Sequence, residues 1–231
     1  MRVGMATHVG KVREVNEDSI GRQGSLLVLA DGMGGHNAGE VASALVVERV
    51  LALEAEGSDF KAELVSTLKD ANHALLEYAS AHQECSGMGT TVVAVKIETE
   101  RICVAHVGDS RVYHWHKGLL IQLTTDHSLV GELVRSGGIT EEQAKNHPQR
   151  HILTRALGTP GDIEIEYAEY PLAEGDRLLL CSDGLTVMLS HEEIFTILSL
   201  DHSPQEIADY LVKAANEKGG TDNISVIVAF L

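Results

Sequence analysis

The hydrophobic residues of this chain fall into short runs and longer periodic segments, which predict different elements. Short runs rich in Val, Ile and Leu that end at Gly or Asp are typical of β-strands. Short connections from 90–97 to 101–107 and on to 111–116 predict antiparallel pairing of these strands. The predicted strands cover residues 14–21, 25–30, 90–97, 101–107, 111–116, 177–182 and 223–230.

The longer segments show the three- and four-residue spacing of amphipathic helices. Two of them, 42–53 and 60–75, lie between the second and third predicted strands. Further helix starts carry Ser or Thr with Glu or Gln three residues later, the spacing of a capping box: Ser190 with Glu193, Ser203 with Glu206, and Thr140 with Gln143. Because the helices interrupt the strand runs without alternating one for one, the pattern favours an α+β fold.

Composition narrows the class of protein. Hydrophobic residues make up 44% of 231 residues and no stretch rich in Pro, Ser and Gly divides them, so we expect one domain spanning 1–231. A formal net charge of −16 argues against nucleic acid or an anionic membrane as a partner. Cys85, Cys103 and Cys181 are widely spaced and form no CxxC pair, which argues against disulfides and structural zinc. Without an apolar span of about 20 residues or a signal peptide, we expect a soluble, cytoplasmic protein.

Acidic residues stand at the ends of the predicted strands. Asp31, Asp109 and Asp183 each follow an apolar run, and Asp222 directly precedes the last one. These four share one rim of the sheets if the last strand runs opposite to its neighbours. Because carboxylates in close quarters raise each other's pKa, such a cluster calls for divalent cations. Oxygen ligands without Cys or a required His favour Mg²⁺ or Mn²⁺ over zinc.

Each acid taken singly also has an ordinary interpretation, because Asp beside Gly is common turn chemistry. Gly161-Asp162 and Gly175-Asp176 are examples, since no further chemistry surrounds either pair in the sequence. His114 and His116 lie two apart on one predicted strand and face the same way, as a metal-binding pair would. With no third ligand nearby in the sequence, a structural or surface role is favoured for both.

Short motifs rich in Asp, Gly and Thr are distributed along essentially the whole chain. They are Arg13-Glu14-Val15-Asn16-Glu17-Asp18, Ala30-Asp31-Gly32-Met33-Gly34-Gly35-His36 with Gly39-Glu40, Gly87-Met88-Gly89-Thr90-Thr91, Gly108-Asp109-Ser110-Arg111, Thr125-Asp126-His127-Ser128, Leu153-Thr154-Arg155-Ala156-Leu157-Gly158, Ser182-Asp183-Gly184-Leu185 and Gly220-Thr221-Asp222-Asn223. Each is weak alone, but together and in this order they resemble the protein phosphatase 2C family, in particular its compact bacterial members. The resemblance implies an α-β-β-α sandwich of two antiparallel sheets flanked by helix pairs, with a flap at about 127–151 beside the active site.

The resemblance also implies a metal site with two core ions, Mg²⁺ or Mn²⁺. In that arrangement Asp31 bridges the two ions and the Gly32 carbonyl ligates one of them. Asp183 and Asp222 complete the other ion, and Glu17 is a ligand of the first.

Further roles follow from the same resemblance. Asp109, with Asp183, matches the position of a third, weaker metal in bacterial members. Asp18 orients the attacking water, and Arg13 holds the substrate phosphate through its planar fork of donors. His36 is a candidate catalytic residue that protonates the leaving group, with water held at the metal site as the open alternative.

The implied function is hydrolysis of phosphoserine and phosphothreonine in proteins by a metal-activated water. We expect a monomer that opposes a Ser/Thr protein kinase. Two alternatives stay open: a pseudophosphatase that uses the fold as a binding or regulatory module, and a small-molecule metallophosphoesterase.

Overall fold

Two antiparallel β-sheets, stacked face to face, form the centre of the fold. The structure, a computed structural model, describes residues 1–34, 38–53 and 59–231. The strands are β1 (Arg2–His8), β2 (Asp18–Gln23), β3 (Leu26–Met33), β4 (Gly89–Thr90), β5 (Val92–Ile97), β6 (Arg101–Val107), β7 (Arg111–His116), β8 (Leu119–Gln122), β9 (Glu166–Pro171), β10 (Arg177–Cys181) and β11 (Ile224–Phe230). Aliphatic and β-branched residues dominate the central strands, as fits a sheet buried on both faces.

One sheet has five strands in the order β1-β11-β10-β7-β8. The other has the order β2-β3-β5-β6-β9, with the short β4 pairing with β3. Because successive residues of a strand point to opposite faces, alternate side chains of both sheets meet in one buried layer. That layer consists of Leu27, Leu29, Val93, Val95, Ile102, Val104, Val112, Leu178, Leu180, Ile227 and Ala229.

Helices cover the outer face of each sheet. They are α1 (Gly39–Leu51), α2 (Phe60–Ala81), α3 (Leu129–Arg135), α4 (Glu141–Lys145), α5 (Asp183–Met188), α6 (His191–Leu198) and α7 (Pro204–Glu217), with a 3₁₀ turn at Gln83–Cys85. α1 and α2 pack on the sheet that contains β3, whereas α5, α6 and α7 pack on the sheet that contains β10. The predicted α+β sandwich is confirmed, with the correction that three helices, not a pair, cover the second sheet.

The capping signals in the sequence are confirmed. Ser190, Ser203 and Thr140 each form a complete capping box at the start of α6, α7 and α4. Ser128 caps α3, and its hydroxyl accepts the Gly131 N–H at 3.1 Å. The segment 127–151 leaves the sheets between β8 and β9 and carries α3 and α4. Within the described residues, no helix combines the length and apolar content needed to cross a membrane.

The strand predicted at 14–21 is wrong in its first half. β2 begins only at Asp18. Near its start, side chains form hydrogen bonds with backbone N–H and C=O groups that a longer strand would use for pairing. The Asn16 side chain accepts the Asp18 N–H at 3.2 Å, and the Asn223 side chain donates to the Val15 carbonyl at 2.9 Å. The segment before Asp18 is therefore a loop fixed by amide side chains.

The strands predicted at 101–107 and 111–116 have the expected bounds as β6 and β7, but their predicted pairing is wrong. β6 pairs with β5 and β9, whereas β7 pairs with β8 and β10 in the other sheet. The chain crosses between the sheets at Gly108, whose φ of +104° lies in the left-handed region that favours glycine. Asp109 therefore lies in a connection that joins the two sheets.

Candidate active site

Acidic residues from both sheets lie together at one end of the sandwich. Asp18, the first residue of β2, lies opposite Asp31 of β3. Asp183 begins α5 directly after β10, and Asp222 lies just before β11, the neighbour of β10. Asp31 interacts electrostatically with Asp18, Asp183, Asp109 and Asp222, which shows that these side chains are close. We name as the acidic cluster Glu17, Asp18, Asp31, Asp109, Asp183 and Asp222.

Burial and mutual repulsion raise pKa values within the acidic cluster. Burial is the larger cause for Asp31, whose pKa lies well above its usual range, and the neighbouring acids add to it. Burial, then Asp183, raises the pKa of Asp109 to about 8. Burial also raises the pKa of both Asp18 and Asp183 to about 6. A hydrogen bond with the Asp31 carboxyl partly offsets this rise for Asp183.

Close backbone packing brings Glu17 and Gly32 to the start of α1. The Gly32 N–H donates to the Glu17 carbonyl at 3.1 Å. A Cβ on Gly32 would clash with the Gly39 carbonyl, so only glycine fits here. Burial raises the pKa of Glu17, although its carboxylate accepts a hydrogen bond from the Gly39 backbone, the first residue of α1.

Buried hydroxyl groups fix the backbone around Asp31. Thr91 Oγ1 accepts the Asp31 N–H at 3.0 Å, and Thr90 Oγ1 donates to the Asp31 carbonyl at 2.8 Å. Thr91 Oγ1 also bonds the Ser110 hydroxyl at 2.8 Å, next to Asp109. The sequence motifs predict no role for these hydroxyls. The sequence does contain a signal for them, because polar residues next to apolar, buried runs need hydrogen-bond partners inside the protein.

Asn223 and Ser182 position two further acids. The Asn223 side chain accepts the Glu17 N–H at 2.8 Å while its amide donates to the Val15 carbonyl. The Ser182 hydroxyl donates to Asp18 Oδ2 at 2.8 Å. Both positioning residues are buried. Contacts of this kind orient metal ligands and are themselves costly to remove.

Arg13 lies at the edge of the acidic cluster. Its Nη2 donates to Asp222 Oδ2 at 2.9 Å, and half of its side chain (50%) is exposed. Burial lowers the pKa of Arg13, but the attraction of Asp222, Glu17 and Asp31 outweighs this effect and raises the pKa overall. The guanidinium therefore carries its charge at the mouth of the acidic site.

Two motif residues anchor the segment 127–151 beside Asp109. His127 Nδ1 accepts the Gly108 N–H at 3.1 Å, and the His127 N–H donates to the Gly108 carbonyl at 3.0 Å. Arg111 donates to Asp126 through Nε at 2.9 Å and through Nη2 at 2.6 Å, a bidentate ion pair. The base of this segment is thus fixed to the connection between the sheets.

The structure brings together nearly all of the predicted site. The residues that meet here are Arg13, Glu17, Asp18, Asp31, Gly32, Asp109, Asp183 and Asp222. Asp31 lies within β3 and not after it, and Asp183 is the first residue of a helix. His36 lies outside the described residues, so its role stays a prediction.

The donor set of the acidic cluster fits hard divalent cations, because all its ligand atoms are oxygen. Asp18 Oδ1 and Glu40 Oε2 are buried without a hydrogen-bond partner in the described part of the protein, and a hydrated cation would satisfy such atoms. Among the described residues, the cluster's acids do not form a group whose ligand atoms all lie within 4.8 Å of one another.

Comparison with known proteins agrees with this geometry. The model of the protein phosphatase 2C family matches residues 7–223. The serine/threonine phosphatase stp of Listeria innocua is 40% identical over 99% of this chain and 95% of its own length. The crystal structure of the Mycobacterium tuberculosis serine/threonine phosphatase PstP/Ppp has a TM-score of 0.94 and 40% identity, covering 100% of this chain and 98% of that one. The PstP catalytic domain in complex with two manganese ions has a TM-score of 0.91 and 38% identity, covering 98% and 96%.

These matches extend over nearly the full length of the chain. Together with the cluster of carboxylates at the end of a β-sandwich, they place the protein in the class of metal-dependent phosphatases. The chain belongs to the protein phosphatase 2C family. The resemblance drawn from its motifs is therefore confirmed.

Proposed function

We propose that this protein removes phosphate from phosphoserine and phosphothreonine in other proteins, and that the acidic cluster is its catalytic centre. The observation that carries the proposal is a set of carboxylates from both sheets, crowded enough to raise each other's pKa, in a chain of the protein phosphatase 2C family. Relatives named serine/threonine phosphatases support the same reaction.

The acidic cluster would hold two cations. Asp31 would lie between them, the Gly32 carbonyl and Glu17 would ligate one, and Asp183 and Asp222 would complete the other. When bound, divalent ions lower the pKa of water and neutralise charge on phosphate oxygens. Without them, burial and then repulsion between the acids disfavour the charged carboxylates, which raises the pKa of Asp31 and Asp183.

We propose Mg²⁺ or Mn²⁺ as these ions, because both prefer oxygen ligands. The manganese-containing PstP structure supports this choice. Asp109, whose pKa is raised by burial and then by Asp183, would hold a third, weaker ion together with Asp183.

Asp18 and Arg13 would act on the water and the phosphate. Ser182 fixes one oxygen of Asp18, and the buried Oδ1 is left to orient a water molecule or accept its proton. The half-exposed Arg13 can exchange Asp222 for two phosphate oxygens, which its planar fork fits. His36 stays a candidate donor of the proton that the leaving alkoxide needs.

The proposal extends to the protein's setting. The buried layer shared by both sheets supports a single catalytic domain over 1–231. Segment 127–151, anchored beside Asp109, is proposed as a flap that selects substrates. Three buried, unpaired cysteines suit the reducing cytoplasm. There the protein would act as a monomer on phosphoproteins made by a Ser/Thr kinase.

Phosphate release from a phosphothreonine peptide tests the reaction, with p-nitrophenyl phosphate as a small monoester and bis(p-nitrophenyl) phosphate as a diester. We expect both monoesters to be hydrolysed with Mn²⁺. Excess EDTA should stop this hydrolysis, because without cations the negatively charged acids repel the phosphate anion. Turnover that persists in EDTA contradicts the proposal. Preference for the diester would favour a small-molecule phosphoesterase, and peptide binding without turnover would favour a pseudophosphatase.

A further inference from the structure

Two imidazole rings and a carboxylate meet at the end of the five-stranded sheet opposite to the acidic cluster. His114 and His116 alternate with Trp115 on β7, so both rings leave the same face. Leu178 of β10 lies opposite His114, which places Asp176, two residues earlier, opposite His116. β7 rises about 3.3 Å per residue, so this group lies roughly 17 Å from the other end of the strand. We name it the His–His–Asp cluster.

Asp176 joins the two rings. Its Oδ2 lies 2.8 Å from His114 Nε2 and its Oδ1 lies 2.6 Å from His116 Nδ1. The Ala173 N–H donates to Oδ2 at 2.9 Å and fixes the carboxylate. Gly175 lies in a turn, as expected, but the expectations that no further chemistry surrounds Gly175-Asp176 and that the two His lack a third ligand nearby are wrong. Strand pairing supplies the carboxylate from 60 residues along the chain.

We propose that the His–His–Asp cluster binds a divalent transition metal ion of the Zn²⁺ type. One ligand atom from each of the three side chains lies within 4.8 Å of the others. Two imidazole nitrogens and one carboxylate oxygen are ligands that zinc prefers. The side chains of His114 and Asp176 are only 10% and 4% exposed, whereas that of His116 is 33% exposed. The ion therefore has an entry path and room for a water as a fourth ligand.

A second group in the described residues meets the same distance criterion but lacks free ligand atoms. It contains His106, His127 and Glu166. His127 Nε2 faces Glu166 Oε2 at 3.1 Å but must keep its hydrogen, because Nδ1 of the same ring accepts the Gly108 N–H. His106 Nε2 lies 3.0 Å from the Thr125 carbonyl, to which it donates. In the His–His–Asp cluster, His114 Nε2 and His116 Nδ1 both face the Asp176 carboxylate, which is itself a metal ligand.

Metal binding at the His–His–Asp cluster requires each ring to present a lone pair at the nitrogen where it now donates. Because a carboxylate only accepts hydrogen bonds, each ring carries a hydrogen on the nitrogen that faces Asp176. On binding, that hydrogen moves to the other nitrogen of the same ring, His114 Nδ1 or His116 Nε2, and the freed lone pair ligates the ion. With ligand atoms about 2.0–2.1 Å from zinc, neighbouring ligand atoms separate to roughly 3.3 Å. The partly exposed His116 ring can make that movement.

The bound ion would cross-link β7 to the turn before β10, at one end of the five-stranded sheet. His114 and His116 lie on β7, whereas Asp176 ends the turn that leads into β10 and whose Ala173 N–H it accepts. A ligand that binds only the folded state stabilises it in proportion to its affinity and concentration. We therefore expect Zn²⁺ to raise the melting temperature through this site, separately from any effect of Mn²⁺ on activity.

Calorimetric titration with Zn²⁺ tests the proposal. The protein is first stripped of metal and then held in excess Mn²⁺, which fills the sites that prefer hard cations. We expect one equivalent of Zn²⁺ to bind, and His116→Gln or His114→Gln to weaken its affinity by at least ~100-fold. His202→Gln is the matched control, because His202 pairs with Glu206 on an exposed surface. Co²⁺ used as a probe should give the intense visible absorption of a four-coordinate ion in wild-type and His202→Gln protein, but not in His116→Gln.

The His116→Gln protein keeps a side-chain donor for Asp176, so we expect it to fold. An unchanged circular dichroism spectrum will confirm this. Equal Zn²⁺ affinity in wild-type, His114→Gln and His116→Gln proteins would overturn the proposal. So would the absence of any Zn²⁺ equivalent in excess Mn²⁺. A Zn²⁺ equivalent lost with Asp31→Asn but kept in both His variants would assign the ion to the acidic cluster, which also overturns it.

Discussion

Asp183→Asn is expected to reduce turnover of a phosphothreonine peptide on the order of 10³-fold or more. Residues that merely orient a metal ligand cost 10–100-fold when removed, and loss of a direct ligand should cost more. Asp183 accepts a hydrogen bond from Asp31 and raises the pKa of Asp109, so it lies centrally in the acidic cluster. The measurement is kcat at saturating Mn²⁺.

The matched control is Asp162→Asn, because Asp162 is 88% exposed and forms an ion pair with the surface residue Lys69. We expect it to keep wild-type turnover. Melting of the metal-free proteins adds a second reading, in which Asp183→Asn should not be less stable than wild type, because it removes a charge that burial and Asp222 disfavour. Turnover of Asp183→Asn within tenfold of wild type would contradict the assigned role.

The metal-free protein is expected to lose stability as the pH rises from 5 to 8. The folded pKa values of Asp18 and Asp183 are about 6 and that of Asp109 is about 8, all above the ordinary pKa of an Asp carboxyl. A group with a raised folded pKa stabilises the fold while protonated, and this contribution is lost as the pH rises through its folded pKa. His127, whose pKa is lowered by burial, changes stability with pH in the opposite direction, but it is one group against three. We expect a net loss of roughly 5 kcal/mol in the free energy of unfolding, because each pH unit between the unfolded and folded pKa of an acid changes it by about 1.4 kcal/mol.

Urea unfolding at pH 5, 6.5 and 8 measures this effect, once with EDTA and once with Mn²⁺. Groups with lowered pKa values, such as Glu193 at about 2, lose their contribution only at lower pH, outside this window. Mn²⁺ should remove the decline, because the ion binds the deprotonated acids. Asp109→Asn should flatten the decline between pH 7 and 8. Greater stability at pH 8 than at pH 5 in EDTA would show that the acids do not repel one another as described.

Much of the fold was predictable because strong periodicity marks its central elements. The strands at 101–107 and 111–116 have the predicted bounds, yet no local pattern reveals that they belong to different sheets. That separation depends on Gly108, where one backbone angle redirects the chain. β9 was missed because its alternating polar residues are mostly half-exposed, and it is a strand only through pairing with β6.

Asp31, Asp109, Asp183 and Asp222 were predictable because each stands beside an apolar run, whereas Glu17 and Asp18 were predictable only from the order of the motifs. The side chains that position them were not. Thr91, Ser182 and Asn223 act across sheets and loops, at sequence separations that no local pattern records. Asp176 shows the same limit, since its two His partners are distant in sequence and adjacent only through strand register.

Anomalous diffraction from crystals grown with Mn²⁺ would locate the ions directly. We predict two manganese peaks between Asp31, Asp183 and Asp222, with carboxylate oxygens about 2–2.5 Å from each ion. One of the two should also contact Glu17 or the Gly32 carbonyl. Manganese bound only at other surface acids or at the His–His–Asp cluster, with none beside Asp31, would contradict a catalytic metal centre built from these distant acids.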